Sequence, residues 1–465
     1  MIGRLALRSL TAHPVRSAVL ATGFGVGVAV MAILLGVAEV VLDQAQSPSL
    51  VGGGDVVIRL SEQVPAKLLM TGTLQSETLR ERVRVASPGH SRELYLVGAS
   101  RVTPVAARGG IPSLERALGD AETANEAAWR DSADDLAWTA DSPDKLLRQI
   151  DRFHEIPDAP QWAHSWAEWL YFNGRSGDAR FYLTFLVGPR SPRGTRPAFV
   201  RLQLDRQGRV ENFGAAAELT DAEVRLAPDL TIGTTSVRLV GMQYRIHLDL
   251  EGPGQRRAVG DLTLQASPGR LVPPIEVTGA RGWRTGYVVP VMSGRLDGAL
   301  AIGAESVSLA GGTGYHDHNW GFWQDVSWQW GQVQQGDLSL LYGRVFPPPE
   351  AADPDRIPGF MAALGPDGPL AFGTDLTMTE TDGPDGRPRT IAIRARGTAL
   401  ELNVRFDVSS AVTTRMTQGP LGNNLDFLQL RGQYTVDGRA GERSLKFSAP
   451  GTAETFRDVA SAPRR

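Results

Sequence analysis

The chain has 465 residues, a formal net charge of −3 and no cysteine. Its length allows about three domains with sizeable cores, and its evenly spread charge provides no concentrated basic face for a nucleic-acid partner. The missing thiol excludes cysteine nucleophiles, cysteine-ligated zinc, disulfides and a lipidated N-terminal cysteine.

Membrane attachment must therefore come from the peptide itself. Ser17 to Ala38 are 22 uncharged residues rich in Val, Ala, Leu, Ile and Gly, enough at about 1.5 Å per residue to cross a hydrocarbon core of about 30 Å. A cleaved signal peptide would carry a shorter apolar region and a small-x-small site, and no such site follows Leu42. The reading is a transmembrane anchor over residues 17–42 behind a cytoplasmic segment of residues 1–16. Arg4, Arg8 and Arg16 precede the anchor while Glu39 and Asp43 follow it. The positive-inside rule then places residues 43–465 outside an inner membrane, on the periplasmic side or its equivalent. Leu5-Ala6-Leu7-Arg8-Ser9-Leu10 through Arg16, with Gly25-Val26-Gly27-Val28-Ala29, resembles the first helix of FtsX/MacB-type ABC permeases. That resemblance implies ABC transporter components as partners, with only the anchor shared.

Residues 43–150 mix a strand signal at Val56 to Leu60 with helical text around Leu114 to Trp129, and read as a membrane-proximal spacer. From Ala163 onward the pattern turns to period two. In Val240 to Leu250, Met242, Tyr244, Ile246, Leu248 and Leu250 face one way, and His247 falls on the solvent face. Further strands are expected at Arg180–Val187, Ala198–Leu204, Asp261–Gln265, Leu338–Phe346, Thr390–Arg396, Leu400–Asp407 and Phe427–Val436, separated by Gly-rich turns. Short strands at this spacing imply an all-β body of barrels or sandwiches. Pro268 to Pro274 interrupts them and suggests two β domains, residues 151–272 and 273–460.

Seven of the ten tryptophans fall in two clusters, Trp162, Trp166 and Trp169, then Trp320, Trp323, Trp328 and Trp330. They read either as barrel core or as the lining of a ligand cavity. Tyr315-His316-Asp317-His318-Asn319-Trp320 is unusual text for a strand. Alternation would put Tyr315, Asp317 and Asn319 on one face and His316, His318 and Trp320 on the other. Two histidines spaced by two can share a metal, yet no third ligand is apparent nearby, and no metal is expected. A buried Asp317 would have its pKa raised and could donate a proton, with His316 or His318 positioning or deprotonating water. A purely structural hydrogen-bond network is the competing reading.

Gly314-Tyr315-His316-Asp317-His318-Asn319-Trp320-Gly321, preceded by Glu168-Trp169-Leu170-Tyr171-Phe172-Asn173-Gly174, resembles the hydroxyneurosporene synthase (carotenoid 1,2-hydratase) family and its AttH-like relatives. The resemblance implies two tandem lipocalin-like β domains behind the anchor and no cofactor. It further implies Asp317 as proton donor to an isoprenoid C=C bond with Tyr315 assisting. Trp169, Tyr171, Tyr287, Asn319, Trp320 and Trp323 would line the ligand site. The family's His and Trp on the preceding strand have no counterpart in Gly286-Tyr287-Val288-Val289-Pro290. Three functional expectations follow, the first two being a membrane-anchored hydratase-like lyase acting on an isoprenoid or lipid, and a non-catalytic AttH-like lipid carrier working with an ABC transporter. A structural envelope protein is the third.

Overall fold

The structure, a computed structural model, describes residues 14, 15, 22, 56–58, 66–75, 82–97, 102–119, 130–139 and 143–458, except 207, 367, 398 and 417–424. The expected anchor therefore lies outside the described residues, apart from Thr22. Among the described residues no helix is long and apolar enough to cross a membrane. Val56–Ile58, where a strand was expected to begin, are not in one.

The chain forms two compact units. The smaller holds the hairpin Gly89–Val97 with Val102–Gly110 and two short helices, Pro112–Leu118 and Ala133–Thr139. In it Glu115, buried, accepts from Ser87 Oγ and pairs with Arg108 at 3.2 Å.

The larger unit is almost entirely antiparallel β and carries two lipocalin-like β domains. Eight strands of the first close on themselves: Trp166–Ser176, Ala179–Val187, Arg196–Arg206, Arg209–Leu219, Gln243–Glu251, Arg257–Gln265, Arg284–Ile302 and Gly312–Phe322. Closure depends on Arg257–Gln265, which pairs with both Gln243–Glu251 and Arg284–Ile302. The ring is thinnest at the single pair Gly214 with Glu251. An eight-stranded ring is just wide enough for side chains to fill it, which removes exposed strand edges. Alternation supplies those side chains. Phe181, Leu183, Phe185, Leu202, Tyr244, Ile246 and Leu248 are buried, while their neighbours Arg245 and His247 are exposed. The expected strand starting at Val240 is in fact two, because Gly241 turns the chain with a φ of 60°.

The second domain is a nine-stranded sheet running from Ser327–Gln335 to Arg443–Asp458, with its own core around Ile393, Leu402, Phe406, Leu430, Tyr434 and Val436. These two strands pair with each other and bring the ends of the domain together.

The change of sheet falls at Trp323–Val326, so the boundary expected at Pro268–Pro274 is corrected. That segment joins two strands of the first sheet. Its Pro273 and Pro274 occupy Val272–Thr278, which among the described residues pairs on one side only, where a missing N–H is tolerated. Gly312–Phe322 consequently belongs to the first barrel, between Arg284–Ile302 and Trp166–Ser176.

Trp320 fits inside the barrel because its strand partner is Gly286, where a Cβ would lie 2.4 Å from the indole. Gly286→Ala is expected to cost about 1–3 kcal/mol by overpacking, read as a lower urea midpoint at unchanged slope.

Candidate active site

Strands Trp166–Ser176 and Gly312–Phe322 pair residue for residue: His316 opposite Phe172, Asp317 opposite Tyr171, His318 opposite Leu170, Asn319 opposite Trp169 and Trp320 opposite Glu168. The pleat divides these residues between two environments.

One face looks into the first barrel. The helix Pro143–Ile150 packs Leu147 and Ile150 into the same core and is followed by Asp151, which is fully buried. Asp151 Oδ2 lies 3.0 Å from His316 Nε2 and accepts from Tyr244 OH at 2.6 Å. His316 Nδ1 lies 3.0 Å from the Tyr171 carbonyl. His318 Nε2 is 2.9 Å from Glu168 Oε1, its Nδ1 is 3.2 Å from Asp151 Oδ1, and His154 Nδ1 is 2.7 Å from Glu168. Burial, the largest single effect, would raise both carboxyls, but His316 and His318 together outweigh it at Asp151 and His154 and His318 together at Glu168, so both are held below the ordinary range. Burial alone would lower His318; Asp151 and Glu168 outweigh it and raise it to about 9. The interior thus holds a buried imidazolium between two buried carboxylates. His154, Glu168 and His318 place ligand atoms within 4.8 Å of one another. Of the two histidines in the segment only His318 belongs to this group; Glu168 comes from the neighbouring strand and His154 from the irregular segment before it, and mutual hydrogen bonds engage all three side chains.

The other face looks outward across a cavity of about 650 Å³ toward the second sheet. Asp317, Asn319, Trp169, Tyr171, Tyr287 and Trp323 line it, joined from the second domain by Trp328, Trp330, Gln429, Glu454 and Phe456. Trp169, Trp323 and Trp328 form an aromatic wall with ring centroids 4.6 to 6.0 Å apart, and Phe456 packs 4.3 Å from Trp328. Trp323 Nε1 donates to the Ala167 carbonyl, so its N–H is satisfied within the protein.

Asp317 accepts from Asn319 Nδ2 at 2.7 Å. Burial, reinforced by the charge of Glu454 across the cavity, pushes Asp317 up to about 8, against the lowering effect of hydrogen bonds with Tyr315 and Asn319. Glu454 is itself pushed up to about 7 by burial, while Tyr171 donates to it at 2.7 Å. Tyr315 stands behind Asp317 rather than in the cavity lining, and its hydroxyl accepts from Trp330 Nε1 at 3.1 Å. Burial raises the phenols of Tyr171, Tyr287 and Tyr315, so they remain neutral donors.

Three expected site residues need correction. His316, His318 and Trp320 do not line the cavity; alternation sends them into the barrel, where Trp320 stacks on His154 at 4.1 Å. The tryptophan clusters divide likewise: Trp162, Trp166 and Trp320 are core, and Trp169, Trp323, Trp328 and Trp330 line the cavity. Glu454 was not anticipated. A lone acid near the end of the chain resembles surface text, and the available signal was its phase, since Glu454 and Phe456 share a strand face.

The two faces should respond differently to substitution. His318→Leu removes the imidazolium that Asp151 and Glu168 share, leaving each buried carboxylate with one imidazole partner instead of two, and is expected to cost about 3–5 kcal/mol. Asp317→Asn is expected to leave the urea midpoint unchanged or higher. The folded protein holds the Asp317 proton more tightly than the unfolded chain does. The resulting stability is complete below pH 3.8 and is lost as pH rises through about 8. The advantage of the Asn variant should therefore grow across that window.

No protein-family model and no curated protein matches the sequence. Among solved structures the chain is similar to CghA, at 12% identity and a TM-score of 0.43 over 69% of this chain and 96% of that one. It is similar to the AttH-assigned protein of Nitrosomonas europaea, at 14% and 0.39 over 65% and 97%, and to kievitone hydratase from Nectria haematococca, at 12% and 0.41 over 62% and 88%.

Proposed function

We propose that the cavity takes a long apolar ligand, an isoprenoid or other lipid, and that Asp317 protonates a C=C bond in it. The observation that carries this reading is a carboxyl with a pKa of about 8 on the wall of an aromatic cavity. At neutral pH it holds a proton it can release, and the surrounding ring faces favour a cation.

The chemistry balances within the residues present. The π electrons of the alkene take the Asp317 proton to form a C–H bond, leaving a tertiary cation beside Trp169, Trp323 and Trp328. Water attacks the cation and passes a proton to Glu454, and proton return to Asp317 completes the addition of one water. In a cyclisation, a second double bond of the ligand takes the place of water. Glu454 thus supplies the second group for which Gly286-Tyr287-Val288-Val289-Pro290 has no candidate. An anchor over residues 17–42 would hold this body beside the bilayer where such ligands reside.

The test is incubation of the detergent-solubilised chain with an acyclic carotenoid or polyprenoid, reading a mass gain of one water. Asp317→Asn should reduce the rate by about a hundredfold or more. Donation needs Asp317 protonated, below about pH 8, and water deprotonation needs Glu454 ionised, above about pH 7, so the rate should peak between those values. Unchanged product from Asp317→Asn would remove Asp317 as the acid. Tight binding without product in wild type would establish the lipid-carrier alternative.

A further inference from the structure

Strand register gives the cavity an axis. Asp317 pairs with Tyr171, Tyr171 with Thr184 and Thr184 with Arg201, and all four line the cavity in one row. Three inter-strand steps of about 4.8 Å put the backbones of Asp317 and Arg201 about 14 Å apart. The adjoining row, Asn319, Trp169, Leu186 and Phe199, is mostly apolar. Its ends differ in exposure: Asp317 is 4% exposed, whereas Phe199 is 47% exposed and Arg201 beside it is also exposed. Asp317 lies at the closed end and Arg201 at the mouth.

Arg201 has only neutral partners. Its Nη2 donates to Thr414 Oγ1 at 2.9 Å and to Asn212 Oδ1 at 3.4 Å, and among the described residues no carboxylate pairs with it. By contrast Arg431, which reaches across from the second sheet, is paired with Asp205. A guanidinium without a countercharge, at the rim of an apolar cavity, suits the flat or tetrahedral oxygens of an anion.

We propose that Arg201 is the head-group residue of this cavity and that the ligand is a single-chain amphiphile. Its anionic head, a carboxylate or phosphate, sits at Arg201 while its apolar end reaches Asp317. The inference rests on the ligand-cavity reading above. It adds a ruler, because a head fixed at the mouth determines which bond along the chain meets the acid.

Palmitate, hexadecyl phosphate and hexadecanol can be titrated against the full chain in non-ionic detergent, with emission of the cavity tryptophans as readout. At least one anion should bind wild type about tenfold more tightly than the alcohol, and the preferred anion identifies the head. Arg201→Gln should abolish that preference by weakening the anion while hexadecanol still binds, which also shows that the variant is folded. Arg201→Lys should restore part of the preference. Equal binding of alcohol and anions by wild type, or a preference that survives Arg201→Gln, overturns the role of Arg201 and leaves the cavity reading intact. Failure of all three to bind wild type overturns both.

Discussion

Pairing of Glu168–Asn173 with Tyr315–Trp320 is the contact on which the rest of the site depends. It joins two segments about 145 residues apart in sequence and places an acid-rich, aromatic pair of strands at the wall shared by the barrel and the cavity. Because side chains alternate, one strand can supply a sealed ionic core and an accessible acid within six residues. A register slip of one residue would exchange the two sets, burying Asp317 in the barrel and turning His316 and His318 toward the ligand. The inward set is therefore well suited to hold the register that aims the outward one.

The two faces resolve burial in opposite ways. Inside, Asp151, Glu168 and His318 stay charged because each has a partner of opposite sign within hydrogen-bond or ion-pair distance. Outside, among the described residues, no cation pairs with Asp317 or Glu454, and their carboxyls move upward instead. A desolvated carboxyl gains nothing in stability by being there, which is the pattern expected where a proton is to be used. Aromatic rings and the neutral phenols of Tyr171 and Tyr315 complete an environment suited to transient positive charge.

Much of this could be read in the sequence, and the failures have identifiable causes. Period-two runs such as Leu338–Phe346 carry strand and face information together, and alternation in Tyr315–Trp320 already separates Asp317 from His316 and His318. Assigning all of them to one site overrode that pattern. Glu168 sits in phase with Trp166, Leu170 and Phe172, which marks it as an inward acid needing a cation, but Asp151 and His154 arrive from a segment with no strand pattern at all. The domain change at Trp323–Val326 has neither Gly nor Pro, whereas the conspicuous prolines near residue 273 mark only a one-sided strand. Glu454 required knowledge of which strands of the second sheet face the first, and that is set by long-range pairing.

The proposed chemistry turns on the protonation state of one group, Asp317. Isotope-edited infrared difference spectra of wild type against Asp317→Asn, recorded across pH, would observe it directly. The expected result is the carbonyl band of a protonated carboxylic acid at pH 7, converting to carboxylate as the pH passes about 8. A carboxylate band already complete at pH 6 would contradict the central claim that this cavity keeps its acid loaded.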